Sequence, residues 1–226
     1  MVKCGGDLFR QALESVQGFA DEIVVVNTDM HPRPPAWEMG SVRAGSYLCA
    51  NDCPGDVEVA ERLGARAFHF PWTNDFSVAR NEVIARCRGA WVFIMDADER
   101  LVLPSQAGIS DFKAWLRGLP AENHAVSFAL HDMRGGVKVH EKEALRLFRR
   151  SSVHYERRVH NMPQFPGDVI LVPGPVIQHF GYDPAFVDMQ AKFRRTKGLL
   201  MRDLWEEPER KSTYFFLSQI HGMVGD

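Results

Sequence analysis

The chain has little of what marks several large protein classes. Its four cysteines in 226 residues are too few and too scattered for a disulfide framework. Cys49 and Cys53 stand four apart, but no second Cys or His pair has the spacing of a zinc site. No apolar run approaches the ~20 residues a helix needs to cross a bilayer, so no transmembrane segment is expected. The opening Met1-Val2-Lys3-Cys4-Gly5-Gly6 lacks the apolar core of a secretory leader, and a cytoplasmic protein is the expectation. With a formal net charge of -2 and no basic stripe interleaved with aromatics, nucleic acid is not an expected partner. No internal repeat is visible. No Gly-rich phosphate loop with a basic residue lies near the amino terminus, which ranks nucleotidyltransferase or phosphoesterase chemistry last.

What is present suits one α/β domain with a small appendage. The most informative stretch is Asp96-Ala97-Asp98-Glu99, which follows the apolar run Ala90-Trp91-Val92-Phe93-Ile94-Met95. Such a run predicts a strand buried on both faces. Carboxylates at i and i+2 then emerge at its carboxyl end on one side of the chain. In open α/β sheets the ligand crevice lies at those ends. Acidic oxygens there suit a hard divalent cation, and the cation can hold a diphosphate. The plainer reading is a strand that ends in a solvated acidic turn.

The surrounding pattern alternates. Leu8, Ala12, Leu13 and Val16 have helical spacing, and residues 22–27 read as a buried strand. Residues 28–55 form a long Pro- and Gly-rich insert. Asp56 caps a helix through Leu63, residues 67–70 form a short strand, and residues 76–87 form a helix preceded by Asp75. This alternation predicts a parallel sheet with crossover helices. After Pro104 a helix over 112–119 precedes strands at 125–130, 145–148, 154–159 and 169–172, with Gly135-Gly136 in a hairpin turn. Asp183-Pro184 marks the start of a helix striped by Phe186, Met189, Phe193, Leu200 and Leu204, and a last helix covers 213–223.

Three groups of residues together carry a resemblance. They are the 12–26 and 59–65 segments, the run Phe70-Pro71-Trp72-Thr73-Asn74-Asp75-Phe76-Ser77-Val78-Ala79-Arg80-Asn81, and Asp96-Ala97-Asp98-Glu99. The chain resembles family 2 glycosyltransferases of GT-A fold, within a SunS-like bacterial subgroup whose members carry tetratricopeptide-type helices after the catalytic domain. His179-Phe180-Gly181-Tyr182, with Lys192 in the next helix, fits the distal half of that subgroup. The resemblance implies an α/β, Rossmann-like GT-A domain over 1–183 and a short helical extension over 184–226.

It further implies transfer of a sugar from a nucleotide-diphospho-sugar, taken as a UDP-sugar, with Mn²⁺ or Mg²⁺ as cofactor. The acceptor, whether glycan, peptide or lipid-linked, stays open. Asp96, Asp98 and Glu99 become the catalytic candidates; Asn27, Asp56, Arg80, Asn81 and Asp96 the nucleotide-binding ones; Asp98, His160 and His179 the metal ligands. The cation would neutralise charge on the leaving diphosphate. Arg80 and Asn81, in the first turns of a helix, would face phosphate. Arg146 is a candidate for the acceptor side. The chain also departs from the family pattern. Lys3-Cys4-Gly5-Gly6 stands where members read Lys-Asn-Glu-Glu, and Asn27-Thr28-Asp29 replaces an Asp-Thr-Gly motif. Asn161 follows His160 where a glutamate is usual, and an amide is no general base, which leaves Glu99 and Asp183 as substitutes. The alternative implied by these departures is a degenerate GT-A domain that binds a nucleotide or partner without turnover.

Overall fold

The computed structural model describes residues 5–28, 55–103 and 105–224. Most of the expected insert, together with Cys49, Cys53 and residues 1–4, lies outside them. In chain order the first half comprises α1 (Gly6–Ser15), β1 (Val24–Asn27), α2 (Asp56–Arg62), β2 (Arg66–His69), α3 (Phe76–Arg86), β3 (Trp91–Phe93) and β4 (Glu99–Val102). The second half comprises α4 (Gln106–Gly118), β5 (Asn123–Arg134), β6 (Val137–Arg149), β7 (His154–Glu156), β8 (Met162–Gln164), β9 (Asp168–His179), α5 (Met189–Glu206) and α6 (Lys211–Val224).

The class is α/β, with a mixed sheet. β1 and β2 pair in parallel, from Val24 opposite Arg66 to Asn27 opposite His69. The larger sheet has five strands in the order β3-β6-β5-β9-β4. Within it β5 and β9 run parallel, while β3–β6, β5–β6 and β4–β9 are antiparallel. The parallel crossover pattern therefore covers only β1, α2 and β2, while β3 and β4 pair antiparallel with β6 and β9. In the second half a hairpin takes over, because Gly135 and Gly136 both hold positive φ (57° and 79°) and turn the chain straight back.

The helices form where sequence and packing agree. α1 buries Phe9, Ala12 and Leu13 at i, i+3 and i+4. Asp75 caps α3 by accepting from Ser77 N at 2.8 Å and Val78 N at 3.2 Å. Over the sheet, Phe19, Phe93, Phe112 and Phe128 stack edge-on and tilted, with Phe93 and Phe128 centroids 5.3 Å apart. Glu22, just before β1, ties the first half together: it takes the backbone N–H groups of Arg88 and Gly89 and the guanidinium of Arg66 at 2.9 Å.

Three differences from expectation bear on the site. The run 90–95 is not a doubly buried strand; β3 stops at Phe93 and buries only Val92 fully, with Arg149 lying over the Trp91 ring at 4.6 Å. Glu99 begins a strand of its own instead of ending an acidic turn. Helix α5 starts at Met189, capped by Asp188, whose carboxylate accepts from Ala191 N at 3.0 Å. Asp183 instead accepts from Gly135 N (2.8 Å) and Ala185 N (3.0 Å), bracing the loop against the hairpin. The helical pair α5–α6 is joined to the rest by a cluster of Leu199, Leu200, Leu217 and Ile220 on Val159 and Phe76. Among the described residues no helix is long and apolar enough to cross a membrane.

Candidate active site

Strand register builds the centre of the site. Glu99 of β4 pairs with His179 of β9, and His179 pairs in turn with Asp132 of β5. Asp98 immediately precedes β4, and its carbonyl accepts from Phe180 N at 2.8 Å, which extends that ladder by one step. Three side chains far apart in sequence therefore meet. His179 Nδ1 lies 2.6 Å from Asp132 Oδ1, and His179 Nε2 lies 3.8 Å from Asp98 Oδ2. Lys142 Nζ reaches Asp132 Oδ2 at 3.1 Å. Burial pushes the Asp132 carboxyl up, but the hydrogen bonds from His179 and Lys142 outweigh it and hold the group below the usual carboxylate range. Asp98 keeps 32% of its side chain exposed, against 10% for Asp132. The aspartate that faces solvent is thus the one a ligand can reach.

Gly181 closes this corner. A Cβ at that position would collide with Asp98 Oδ2 and His179 Nε2, so any side chain there would force both groups to shift. Lys192, in the first turns of α5, donates to the Gly181 carbonyl at 2.7 Å. The Tyr182 ring packs edge-on to His179 with centroids 5.3 Å apart.

The other two acids of the motif point elsewhere. Because β3 ends at Phe93 and β4 begins at Glu99, Asp96-Ala97-Asp98 is a turn, and the two-residue alternation of a strand does not govern it. Asp96 Oδ1 receives Arg80 Nη2 at 2.6 Å, and Arg146 Nη2 lies 3.8 Å from Asp96 Oδ2. Burial raises the Asp96 carboxyl, but the charges of Arg80 and Arg146 overcome it and hold it far below its ordinary value. Glu99 is 1% exposed. It accepts from Arg146 Nη2 (2.6 Å) and Nε (3.2 Å) and from the Asp96 backbone N–H (3.0 Å). Burial and the neighbouring Asp96 charge raise the Glu99 carboxyl, against the pull of Arg146. Asp96 is paired with guanidinium and keeps a third of its side chain exposed, while Glu99 is sealed under Arg146 as the brace of the turn, with no open face for general-base work.

The remaining candidates divide in the same way. Asn81 holds the Tyr155 backbone with both ends of its amide, Nδ2 on the carbonyl at 2.9 Å and Oδ1 on the N–H at 2.7 Å. That pin fastens α3 to β7 and corrects the nucleotide-contact expectation. Arg80 crosses the face of Tyr155 at 5.2 Å on its way to Asp96. Asp56 is buried in the first turn of α2 and accepts from Gly5 N at 3.0 Å. Asn27 is buried at the end of β1. His160 stacks on Phe216 of α6 with centroids 3.8 Å apart and planes 8° from parallel. Burial, then the charge of Arg157, lowers its affinity for a proton. Among the described residues no group of three or more His, Cys, Asp or Glu is gathered as a metal cage, so His160 does not join Asp98 and His179. Arg146 belongs to the buried brace, not to an acceptor surface.

Asp132 is the residue the sequence reading missed. A signal was there: Val126, Phe128, Leu130 and Asp132 are all buried and two apart, so an acid ends the apolar face of a strand. A buried carboxylate must have a partner, but only the register of β9 supplies it.

With this geometry in view, comparison with known proteins shows what the chain is similar to. The sequence profile described as "Glycosyl transferase family 2" matches residues 47–102, a span that ends with the last residue of β4. The matched segment holds Asp96, Asp98 and Glu99, while Asp132 and His179 lie beyond it. A TPR repeat-containing protein of Synechococcus elongatus is 28% identical over 223 residues, covering 92% of this chain and 48% of that protein. The SPbeta prophage-derived glycosyltransferase SunS of Bacillus subtilis is 27% identical over 156 residues, covering 66% of this chain and 36% of that protein. The crystal structure of S. aureus TarS aligns with a TM-score of 0.46 at 9% identity, over 97% of this chain and 42% of that one. The chain spans less than half the length of the curated relatives it matches.

Proposed function

We propose that the chain transfers a sugar from a nucleotide-diphospho-sugar, a UDP-sugar by the family resemblance, with Mn²⁺ or Mg²⁺ held at Asp98 and His179. The observation that carries this reading is the convergence of Asp98, His179 and Asp132 through strand register. The donor set suits such an ion. Two groups 3.8 Å apart can share one cation at bonds of about 2.1 Å each. Mg²⁺ takes only one or two carboxylates from protein and completes its shell with phosphate and water. Asp132 fixes the Nδ1 side of His179, which leaves Nε2 for the ion, the arrangement usual around metal-bound histidine.

When bound, the cation would neutralise charge on the leaving diphosphate. The protein's own residues do the positioning. Glu99 and Arg146 brace the Asp96-Ala97-Asp98 turn from below, and Arg80 occupies Asp96 Oδ1, which leaves Asp98 as the aspartate beside His179. Gly181 lets the β9 end close on both ligands. The acceptor is a glycan, peptide or lipid-linked group.

One observation favours a second reading, a domain that binds nucleotide without turnover. Asp96 is neutralised by Arg80, and Glu99 and Asp183, the carboxylates considered as general base, both have full structural duties. Calorimetry with UDP and Mn²⁺ tests binding, and donor hydrolysis compared between the wild type and Asp98→Ala separates the two readings. Metal-dependent turnover that Asp98→Ala abolishes supports the enzyme. Binding without hydrolysis in the wild type supports the binder.

A further inference from the structure

The five-stranded sheet leaves one stretch of edge bare. Along one side β9 pairs with β5, from Asn123 opposite Asp168 to Asp132 opposite His179. On its other side β4 covers only Val176 to His179. Among the described residues no strand pairs with that side over 168–172. A strand edge presents its main-chain N–H and C=O groups in a row, and that row is a template for another strand.

Two other edges of the same sheet are guarded. Helix α1 lies along β4, where the Ser15 hydroxyl accepts from Leu101 N at 3.1 Å. The outer side of β6, beyond its short pairing with β3, runs through Val137-Lys138-Val139-His140-Glu141-Lys142-Glu143. All of these are exposed, and the charges of Lys138, Glu141, Lys142 and Glu143 oppose pairing with another strand. The bare stretch of β9 has neither guard. It reads Asp168-Val169-Ile170-Leu171-Val172, with Val169 46% and Leu171 51% exposed. Being two apart, those two side chains share one face of the sheet.

We infer that this stretch joins two copies of the chain, β9 against β9, antiparallel about a two-fold axis through Ile170. The composition selects the occupant. An apolar edge matches another apolar edge, and the charged outer side of β6 is not one. In this register Val169 of each copy stands opposite Leu171 of the other, so the exposed apolar pair of the single chain is covered twice over. Asp168 falls at the end of the pair, opposite Val172 and away from its own copy. The contact is closed, because it consumes the bare stretch of both copies and leaves none for a third. It also steadies the strand that presents His179 at its far end. The inference does not depend on the sugar-transfer reading.

Sedimentation velocity on the full chain from about 1 to 100 µM tests it. The wild type is expected to pass from monomer to dimer over that range, with nothing larger. Val169→Lys and Leu171→Glu should each weaken the dimer at least about tenfold, because a charge then faces an apolar side chain across the axis. Both side chains are exposed in the single chain, so circular dichroism and Tm should not change. Val169→Lys combined with Leu171→Glu should recover the dimer to within about tenfold of the wild type, since the new charges oppose each other across the axis. Trp205→Lys, on the exposed side of α5, should leave the dimer intact. A wild type that stays monomeric at 100 µM would overturn the inference and leave the edge to another segment or partner. So would a dimer that survives both single substitutions, a double variant no stronger than the singles, or a dimer lost in Trp205→Lys, which would move the contact to the helical pair.

Discussion

His179 and Asp132 face each other across the parallel β5–β9 pair, joined by a 2.6 Å hydrogen bond from ring nitrogen Nδ1 to carboxylate. That single contact sets which nitrogen of the imidazole turns toward Asp98. Asp132→Asn should therefore weaken Mn²⁺ binding about 10- to 100-fold, the usual cost of losing an outer carboxylate behind a metal-bound histidine. Electron paramagnetic resonance titration of free Mn²⁺ measures it, with circular dichroism to show that the fold is kept. An unchanged affinity would mean that the ring needs no such orientation.

The Glu99–Arg146 pair makes a different prediction. Glu99→Gln leaves a largely buried guanidinium with only the longer 3.8 Å contact to Asp96, and breaking such a buried pair costs about 3–5 kcal/mol. Urea unfolding should show that loss. The double substitution Glu99→Met with Arg146→Met should recover much of it, because the uncompensated charge is gone. If the single variant unfolds like the wild type, the brace beneath the turn is not a stabilising element.

Asn81 separates stability from binding. Asn81→Ala strands the N–H and carbonyl of Tyr155, each of which loses its side-chain partner. The expected loss is about 2–3 kcal/mol of stability from unsatisfied buried backbone, with Mn²⁺ affinity unchanged. A variant of wild-type stability that fails to bind UDP would restore Asn81 to the nucleotide site.

Glu22 carries a pH dependence. Burial pushes its carboxyl up, but the backbone N–H groups of Arg88 and Gly89 and the Arg66 guanidinium outweigh burial and leave it lowered. A carboxyl lowered on folding stabilises the fold fully above its unfolded value and ceases to do so as pH falls through its folded value. The difference in unfolding free energy between wild type and Glu22→Gln should hold steady from pH 6 to 8 and shrink below about pH 4.3. A difference that widens toward acid would reverse the assignment.

The parts of the fold legible in the sequence are those whose signals are local. Asp75 caps α3 as its position before Phe76 implies, and Gly135-Gly136 turns the hairpin. The acidic motif itself was visible, but how its members divide was not. Asp96 and Asp98 are two apart, which on a strand would place them together; the chain turns at Ala97 instead, and Arg80 and Arg146 select Asp96. Nothing within a few residues of Asp96 announces Arg146, fifty positions on. His160 and His179 were equal candidates in sequence. Phe216 takes the first and Asp132 the second, and both decisions come from elements that pack late in the chain.

The central claim is that Asp98 and His179, and not Asp96, hold the cation. Mn²⁺ titration of wild type, Asp98→Asn, His179→Gln and Asp96→Asn tests it directly. The account predicts at least about a tenfold loss of affinity for the first two variants, and for Asp96→Asn a retained affinity with lowered stability. Equal Mn²⁺ binding by wild type and Asp98→Asn, or loss confined to Asp96→Asn, would contradict it.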